Sequence, residues 1–178
     1  MWTIGHSNRR YADFLALLRQ AGIDQVVDVR SHPASSRFPW YDRSRLETGL
    51  AEAGIAYSWA GKAFGGRRKG HPADDERHPA LKRSGFRAYA RHMEDNAFSE
   101  AVDRLLAGAA GATSIMCAEA EPLRCHRSLI ADYLEIVRGE PVSHIMGSGR
   151  RQSHAVHPGA RLAGKGLRYD RNHTEKLL

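Results

Sequence analysis

Short apolar runs alternate with amphipathic stretches along most of the chain. Apolar side chains recur at helical spacing through residues 11–21, and Gly22 follows as a stop signal. Residues 26–29 form a β-branched run typical of a buried strand. The same patterns predict strands at residues 2–4, 26–29, 55–59, 113–116 and 142–145. They predict helices at residues 11–21, 44–53, 84–92, 98–107 and 123–137.

Three local patterns refine this outline. Ser44 and Glu47 have the spacing of a capping box and are expected to open the second helix. Residues 60–83 are rich in glycine and proline and predict a long loop. From residue 147 onward the chain has little apolar periodicity, which favours a poorly packed or partly disordered segment. We therefore expect a domain at residues 1–146 and a basic C-terminal tail at residues 147–178.

The alternation of strands and helices predicts a single-domain α/β fold with a mainly parallel open sheet of about five strands, flanked by helices in Rossmann-like layers. The length of 178 residues suits one domain. Open parallel sheets bind ligands beyond the carboxyl ends of their strands. Polar and glycine residues follow these predicted strand ends, whereas the opposite loops are chemically plain. A binding site is therefore expected at the carboxyl edge.

Positive charge is concentrated in two parts of the chain. The net charge is +7, and residues 60–92 contain nine basic and three acidic side chains. Residues 147–178 contain seven basic and two acidic side chains. This distribution favours an anionic partner, either a phosphate-bearing small molecule or nucleic acid. Ordinary solvated surface is the alternative interpretation.

Other features bear on location and partners. The chain has no apolar run of about 18 residues, so no membrane partner is expected. The N-terminal residues have no apolar signal region, and Cys117 and Cys125 are too few for a disulfide scaffold. A reducing cytoplasm is therefore expected, without a bridge between the two cysteines. The oligomeric state is left open.

The Arg-Cys-His-Arg segment at residues 124–127 is expected in or near the first turn of a helix, with Pro122 suited to the first helical position. Free backbone N–H groups and the positive end of the helix favour an anion there. Basic side chains at a helix start oppose the dipole, so they need a partner. That partner is either a bound anion or a carboxylate, Glu119 or Glu121.

The chemical groups at the expected edge define the candidate site. Cys125 beside Arg and His would have the lowered pKa of a nucleophile, although its spacing to Leu129 also suits a core residue. Asp28 lies in an apolar strand and needs a partner such as Arg30, either as an ion pair or as a general base. The catalytic candidates are Cys125, His126, Glu119 and His6. The candidates for substrate or anion binding are Ser7, Asn8, Arg30, Ser31, Arg37, Gly65, Gly66, Arg67, Cys117, Arg124 and Arg127.

The sequence predicts no metal site and identifies no cofactor. It has neither a C-x-x-C nor an H-x-x-x-H spacing. Five side chains could ligate zinc or iron if the fold brought them together. They are Cys117, Cys125, His126, His6 and His144.

Four segments resemble the DUF488 family, the domain of unknown function 488. They are TIGHSN near the N-terminus, VVDVRSHPASSRFPW, GIAYSWAGKAFGGR and CAEAEPLRCHRSLIADYL. The resemblance runs in order from about Thr3 to His144 and implies a compact α/β domain, but no settled activity. Three positions depart from the family's usual residues. Glu121 stands where Asp is more usual, Phe64 where Leu is more usual, and His32 where an apolar residue is commoner. The positions that the resemblance marks are His6, Ser7, Asn8, Asp28, Arg30, Ser31, Arg37, Gly65, Gly66, Cys117, Glu119, Cys125, His126 and Arg127.

Two functions are compatible with these features. The first is an enzyme, a hydrolase or transferase, that acts on a phosphate-bearing substrate such as a nucleotide or nucleic acid at the carboxyl edge. The second is a non-catalytic nucleic-acid-binding module that uses the basic 60–92 loop and the tail. The sequence favours the enzyme, because a pure binder does not need His, Cys and Glu gathered at a strand edge. The reaction type is left open.

Overall fold

A six-stranded, mostly parallel sheet forms the centre of the computed structural model, which describes residues 1–147 and 149–171. The described strands are β1 (Trp2–Gly5), β2 (Gln25–Asp28), β3 (Ala56–Trp59), β4 (Thr113–Cys117), β5 (Ser143–Ile145), β6 (Arg151–Ser153), β7 (Ala160–Ala163) and β8 (Gly166–Tyr169). The sheet order is β3-β2-β4-β1-β5-β6, and only the β5–β6 pair within it is antiparallel. The expected α/β fold with a mainly parallel sheet is confirmed.

Helices cover both faces of this sheet. The described helices are α1 (Tyr11–Gln20), α2 (Arg43–Glu52), α3 (Gly61–Phe64), α4 (Asp74–Arg77), α5 (Ser84–His92), α6 (Asn96–Ala107) and α7 (Arg127–Arg138). One hydrophobic core includes Phe14 of α1 and Leu46 of α2, and the other includes Tyr89, Phe98 and Leu129 of α5, α6 and α7. None of the described helices combines the length and apolar content that crossing a bilayer requires.

The strand register brings the carboxyl ends of β1, β2 and β4 to one edge. Gly5 at the end of β1 pairs with Cys117 at the end of β4, and Asp28 pairs with Met116. The loops after β1 and β4 then run in contact, since the His6 N–H donates to the Cys117 carbonyl at 2.9 Å. A Cβ on Gly5 would lie 1.8 Å from the Glu119 carbonyl oxygen, so this close approach requires glycine.

Two sequence predictions differ from the structure in the first half of the chain. The capping box is wrong, because α2 begins at Arg43 and Ser44 lies inside the helix. Asp42 is the N-cap residue, and its carboxylate accepts the Ser35 N–H at 2.6 Å instead of capping the helix. The loop at residues 60–83 contains the two short helices α3 and α4.

The helix predicted at residues 123–137 is divided in two. Pro122–Arg124 forms a 3₁₀ turn, and α7 begins only at Arg127. Cys125 between them is extended, with φ −123° and ψ 144°. Its carbonyl accepts the N–H and the hydroxyl of Ser128, which starts α7 at this point. The prediction of one continuous helix from residue 123 is therefore wrong. Pro122 does take the first position of the 3₁₀ turn, and His126 and Arg127 are the N-cap and first residue of α7, so residues 124–127 lie near a helix start as expected.

The C-terminal segment packs more closely than its sequence indicates. β6 extends the main sheet, and β7 and β8 form a hairpin against α7. Leu167 and Tyr169 of this hairpin are buried in the core with Leu129 and Tyr133. The strands are three or four residues long, too short for a clear hydrophobic period. A domain boundary at residue 146 stays a prediction, and residues 148 and 172–178 of the expected tail lie outside the described residues.

A buried polar network connects this segment to the sheet. The Asp132 carboxylate can only accept, so the Nε2–H of His154 donates to it at 2.8 Å. His144 Nε2 forms a hydrogen bond with His154 Nδ1 at 3.0 Å, and His144 Nδ1 forms one with the Thr3 hydroxyl at 2.7 Å. The Tyr169 hydroxyl donates to the second Asp132 oxygen at 2.9 Å. The hairpin and the first strand are therefore joined through one chain of hydrogen bonds.

Candidate functional site

A cleft of about 850 Å³ opens at the carboxyl edge of the sheet, and loops after β1, β2, β3 and β4 line it together with the start of α5. This volume is within the range that small-molecule sites occupy. Most residues that the sequence placed in a site line this cleft. They are His6, Ser7, Arg30, Ser31, Arg37, Gly66, Arg67, Cys117, Glu119, Arg124, Cys125 and His126.

Three of the candidate residues do not line the cleft. Asn8 is exposed within the loop that follows β1. Gly65 is packed so closely on Ser31 that a Cβ would lie 2.3 Å from the hydroxyl oxygen. Arg127 is only 1% exposed, and its guanidinium donates to the backbone carbonyls of Glu119 and Ala120. Arg127 therefore supports the loop after β4 from inside, and its assignment to anion binding stays a prediction.

Exposed arginines surround the cleft. Arg37, Arg67, Arg83 and Arg124 all line it, and none of them makes an ion pair with a described residue. Arg83 is adjacent to Arg124, since its Nη1 donates to the Arg124 carbonyl at 3.4 Å. Glu119 is the one exposed carboxylate in the lining. The rim therefore has a net positive charge.

Arg83 is a lining residue that the sequence analysis did not include among the site candidates. It lies just before α5, in the basic segment at residues 60–92. The charge of that segment was the only signal for it. A specific assignment required knowledge that the start of α5 faces the loop after β4, which depends on the tertiary fold.

Arg30 is on the floor of the cleft, but its charge is already paired. Its Nε and Nη2 donate to the Asp28 carboxylate, and its Nη1 lies 3.2 Å from His6 Nε2. The Tyr57 hydroxyl donates to the same carboxylate at 2.9 Å. Arg30 and Asp28 thus form the ion pair that the sequence suggested, and the arginine is less available to an anion than the rim arginines.

His6 is buried and neutral at pH 7. Burial and the positive charge of Arg30 lower its pKa to about 4. Because Arg30 can only donate, Nε2 accepts and Nδ1 carries the proton, which it donates to the Ser7 carbonyl at 2.8 Å. The ring also stacks on Tyr41 with a centroid distance of 4.0 Å. His6 therefore positions Arg30 and the loop after β1.

Ser7 has an unusual backbone conformation in this loop. Its φ is 53°, in the left-handed region that residues other than glycine adopt rarely. The Ser7 N–H donates to the Ala118 carbonyl at 2.9 Å, which holds the residue in place. Such conformations persist where the surrounding contacts enforce them, and they are common at functional sites.

The two cysteines and His126 lie together at the floor of the cleft. His126 Nδ1 lies 3.7 Å from Cys125 Sγ and 3.9 Å from Cys117 Sγ. A hydrogen bond from the Cys125 thiol lowers the pKa of Cys117 well below its usual value, and contacts with His126 lower it further. Because the Cys125 thiol donates this hydrogen bond to Cys117 and is buried, the pKa of Cys125 is raised well above its usual value. The lowered pKa that the sequence predicted for Cys125 is therefore found at Cys117 instead.

The fold brings together three of the five side chains that could ligate a metal. The ligand atoms of Cys117, Cys125 and His126 all lie within 4.8 Å of one another, and both cysteines are free thiols. His6 is instead hydrogen-bonded to Ser7 and Arg30, and His144 belongs to the buried network at β5. The sequence predicted no metal site, because residues nine positions apart have no recognised ligand spacing.

A second cavity of about 320 Å³ lies between the sheet and α6. Its lining is mainly apolar and includes Val27, Phe64 and Leu105. The titratable side chains in that lining are Lys62 and Arg104. Among the described residues, its lining has no Cys, His or carboxylate, so the cleft at the carboxyl edge is the better candidate for chemistry.

Comparison with known proteins supports the resemblance found in the sequence. No curated protein and no solved structure matches the chain. The sequence model of one family, described as domain of unknown function DUF488, matches residues 10–134. The matched range covers more than half of the 178 residues and includes β2, β3, β4 and both cysteines. The chain therefore belongs to the DUF488 family.

Proposed function

We propose that this protein is an enzyme that acts on a phosphate-bearing substrate, with the substrate's anionic group bound among the rim arginines of the cleft. The observation that carries the proposal is the convergence of Arg37, Arg67, Arg83 and Arg124 on one cleft, each without an ionic partner among the described residues. Guanidinium groups match phosphate oxygens with two parallel hydrogen bonds.

The size of the cleft supports a substrate larger than inorganic phosphate. A volume of about 850 Å³ can hold a ligand of nucleotide size. Phe38 and Phe86 line the cleft next to the arginines and offer apolar surface for a base or another flat group. A nucleotide or a nucleic-acid end therefore fits the proposal.

The floor of the cleft favours an enzyme over a simple binding protein. Binding of phosphate needs positive charge and N–H donors, but it does not need two thiols and an imidazole in contact. Glu119 adds an exposed carboxylate that could transfer a proton. The presence of these groups beside the anion-binding rim supports a chemical step at this position.

Non-catalytic binding of nucleic acid is the second candidate, and the basic 60–92 segment is the observation in its favour. Several of these positive side chains already form hydrogen bonds or ion pairs with other parts of the protein. Arg68 donates to three backbone carbonyls, and three other arginines of the segment pair with acidic side chains. These pairs are Arg77–Glu94, Arg87–Asp75 and Arg91–Asp74. Because fewer of its positive side chains are free, this segment is a weaker candidate for binding nucleic acid than its sequence indicates.

Calorimetric titration with inorganic pyrophosphate and adenosine monophosphate tests the binding step. Arg37→Ala and Arg124→Ala should each weaken binding by about tenfold or more, because a hydrogen bond to a charged group contributes about 1.5–3 kcal/mol. Arg19→Ala removes the same charge from α1, outside the cleft, and should leave the affinity unchanged. Equal affinities for all three variants and the wild-type protein would refute anion binding in the cleft.

Phosphorus NMR of the protein with phosphomonoesters, phosphodiesters and nucleoside triphosphates tests the chemical step. Conversion of at least one class is expected, with loss of turnover but retained binding in Glu119→Gln. Binding without conversion of any class would contradict the enzyme. Affinity for a single-stranded oligonucleotide that falls steeply with salt and survives Cys125→Ser would then favour the nucleic-acid-binding module.

A further inference from the structure

Two sulfur atoms and one imidazole nitrogen converge at the floor of the cleft. Cys117 is the last residue of β4, and Cys125 and His126 lie between the 3₁₀ turn and α7. All three line the cleft, so a group bound by them would be in contact with a ligand there. Thiolate and imidazole are the ligand types that zinc prefers in proteins.

The separations between these atoms fit tetrahedral coordination. Zinc–sulfur bonds of about 2.3 Å and zinc–nitrogen bonds of about 2.0–2.1 Å place sulfur and nitrogen ligands roughly 3.6 Å apart, and two sulfur ligands roughly 3.8 Å apart. His126 Nδ1 lies 3.7 and 3.9 Å from the two sulfur atoms, and all three atoms lie within 4.8 Å. Movements of a few tenths of an ångström would satisfy the nitrogen–sulfur separations, and the two sulfurs need to approach each other by at most about 1 Å.

Backbone hydrogen bonds hold the two cysteine ligands in place. The Cys117 carbonyl accepts the His6 N–H at 2.9 Å, and the Cys125 N–H donates to the Pro122 carbonyl at 3.0 Å. The Cys125 carbonyl is fixed in turn by the N–H and hydroxyl of Ser128. Ligands held in this way lose little conformational freedom when a metal binds.

Gly66 keeps the coordinating side of His126 accessible. A Cβ at this position would lie 2.4 Å from Nδ1, the nitrogen that faces the sulfur atoms. Tyr89 packs on the same imidazole with a centroid distance of 5.1 Å. The ring is therefore held by a glycine on one side and an aromatic ring nearby, with its Nδ1 directed at the two sulfurs.

We infer that Cys117, Cys125 and His126 bind a zinc ion, with a fourth coordination position that opens into the cleft. Three protein ligands with one open position are typical of catalytic zinc sites, whereas structural sites have four. Among the described residues, no fourth Cys, His or carboxylate joins this group. The open position would take a water molecule or an oxygen of the substrate. Metal binding itself does not depend on the proposed function. Binding of a substrate oxygen at the fourth position does rest on the proposed function.

Titration of the reduced protein with cobalt(II) and zinc tests the site. One equivalent of cobalt should give a thiolate-to-cobalt charge-transfer band, and zinc should displace it. X-ray absorption of the zinc form should show two sulfur neighbours at about 2.3 Å together with nitrogen or oxygen neighbours at about 2.0–2.1 Å. A zinc spectrum with nitrogen and oxygen neighbours alone, or reduced thiols that bind no metal, would overturn the inference.

Matched variants locate the ion. Cys117→Ser, Cys125→Ser and His126→Asn should each weaken zinc binding by more than about 100-fold, since loss of an outer-shell partner alone costs about 10–100-fold. His32→Ala removes an exposed imidazole from the same cleft and should have no effect. Unchanged zinc affinity in the three ligand variants would refute the site. Circular dichroism of each variant distinguishes loss of the metal from misfolding. The X-ray absorption spectrum of the wild-type zinc form tests the site even if a variant does not fold.

Addition of inorganic phosphate to the cobalt form tests the open position. A change in the cobalt spectrum, lost in Arg124→Ala, is expected if phosphate binds next to the metal. A cobalt spectrum that phosphate does not change would leave the metal site standing and would refute its contact with the anion. Phosphate binding by calorimetry without any metal binding would instead support the proposed function and refute the zinc site.

Discussion

The Arg30 guanidinium forms a hydrogen-bonded ion pair with the Asp28 carboxylate at the end of β2. Nε donates to the two carboxylate oxygens at 2.9 and 3.0 Å, and Nη2 donates to Oδ2 at 2.6 Å. Asp28 is 0% exposed and Arg30 is 6% exposed, so the two charges depend mainly on each other for compensation. Arg30 lines the floor of the cleft, so the ion pair with Asp28 helps to hold the start of the loop after β2 in place.

Asp28→Asn should therefore destabilise the protein strongly. The substitution leaves the buried Arg30 charge without compensation, which costs about 3–5 kcal/mol. Urea denaturation measures the change in the free energy of unfolding. Asp13→Asn is the matched control, because Asp13 in the first turn of α1 forms an exposed ion pair with Arg10 and its loss should cost less than about 1 kcal/mol. Equal effects of the two substitutions would contradict the buried ion pair.

Two leucines of the C-terminal hairpin should respond differently to truncation. Leu167 is 1% exposed and packs in the core, whereas Leu162 is 53% exposed on the neighbouring strand. Leu167→Ala should lower the free energy of unfolding by about 2–5 kcal/mol, through lost apolar contacts and the cavity that remains. Leu162→Ala should change it by less than about 0.5 kcal/mol. Similar small effects at both positions would show that the hairpin does not pack on the domain.

Gly5 should not tolerate a side chain. The Cβ of an alanine would lie 1.8 Å from the Glu119 carbonyl oxygen, so β1 and the loop after β4 would have to separate. Gly5→Ala should cost about 3 kcal/mol or more by thermal denaturation. In contrast, a Cβ at Gly85 of α5 meets nothing within 4 Å, and Gly85→Ala should stabilise the helix by up to about 1 kcal/mol. A stable Gly5→Ala protein would contradict the contact between the two loops.

The protein should lose stability as the pH falls below 6.5. Burial lowers the pKa of both His6 and His144 to about 4, with further lowering by Arg30 and by His154 and Arg127 respectively. Between pH 6.5 and 4 the unfolded chain therefore binds more protons than the folded chain. The stability that the neutral imidazoles provide is complete above pH 6.5 and decreases through this window, by up to roughly 3 kcal/mol for each histidine.

Denaturation at pH 7 and pH 5 measures this loss. His144→Gln should reduce the dependence on pH, whereas His32→Gln, at an exposed imidazole, should not alter it. NMR of the imidazole resonances gives a direct measurement, with His144 expected to remain neutral at pH 5. Titration of His144 near pH 6.5 would refute the burial of a neutral His144 between Thr3 and His154.

The sequence was sufficient to predict the architecture and most of the cleft. Apolar runs such as Val26–Val27 and the helical spacing through residues 11–21 depend on local burial, so they indicate strands and helices directly. Parallel strands deliver their carboxyl ends to one edge, which is why His6, Ser31 and Cys117 could be expected together. The sequence could not show that Arg127 faces inward, because its guanidinium partners are carbonyls of a loop.

What the sequence by itself determined is therefore the order of elements and the edge at which the polar residues meet. The tertiary structure decided the geometry at that edge. The extended Cys125 interrupts a helix that periodicity predicts as continuous, and this break brings the Cys125 and Cys117 sulfurs to the same imidazole. The C-terminal strands form because they complete a core and bury the Asp132 network. Both outcomes depend on contacts between residues far apart in the chain, and local patterns carry no information about such contacts.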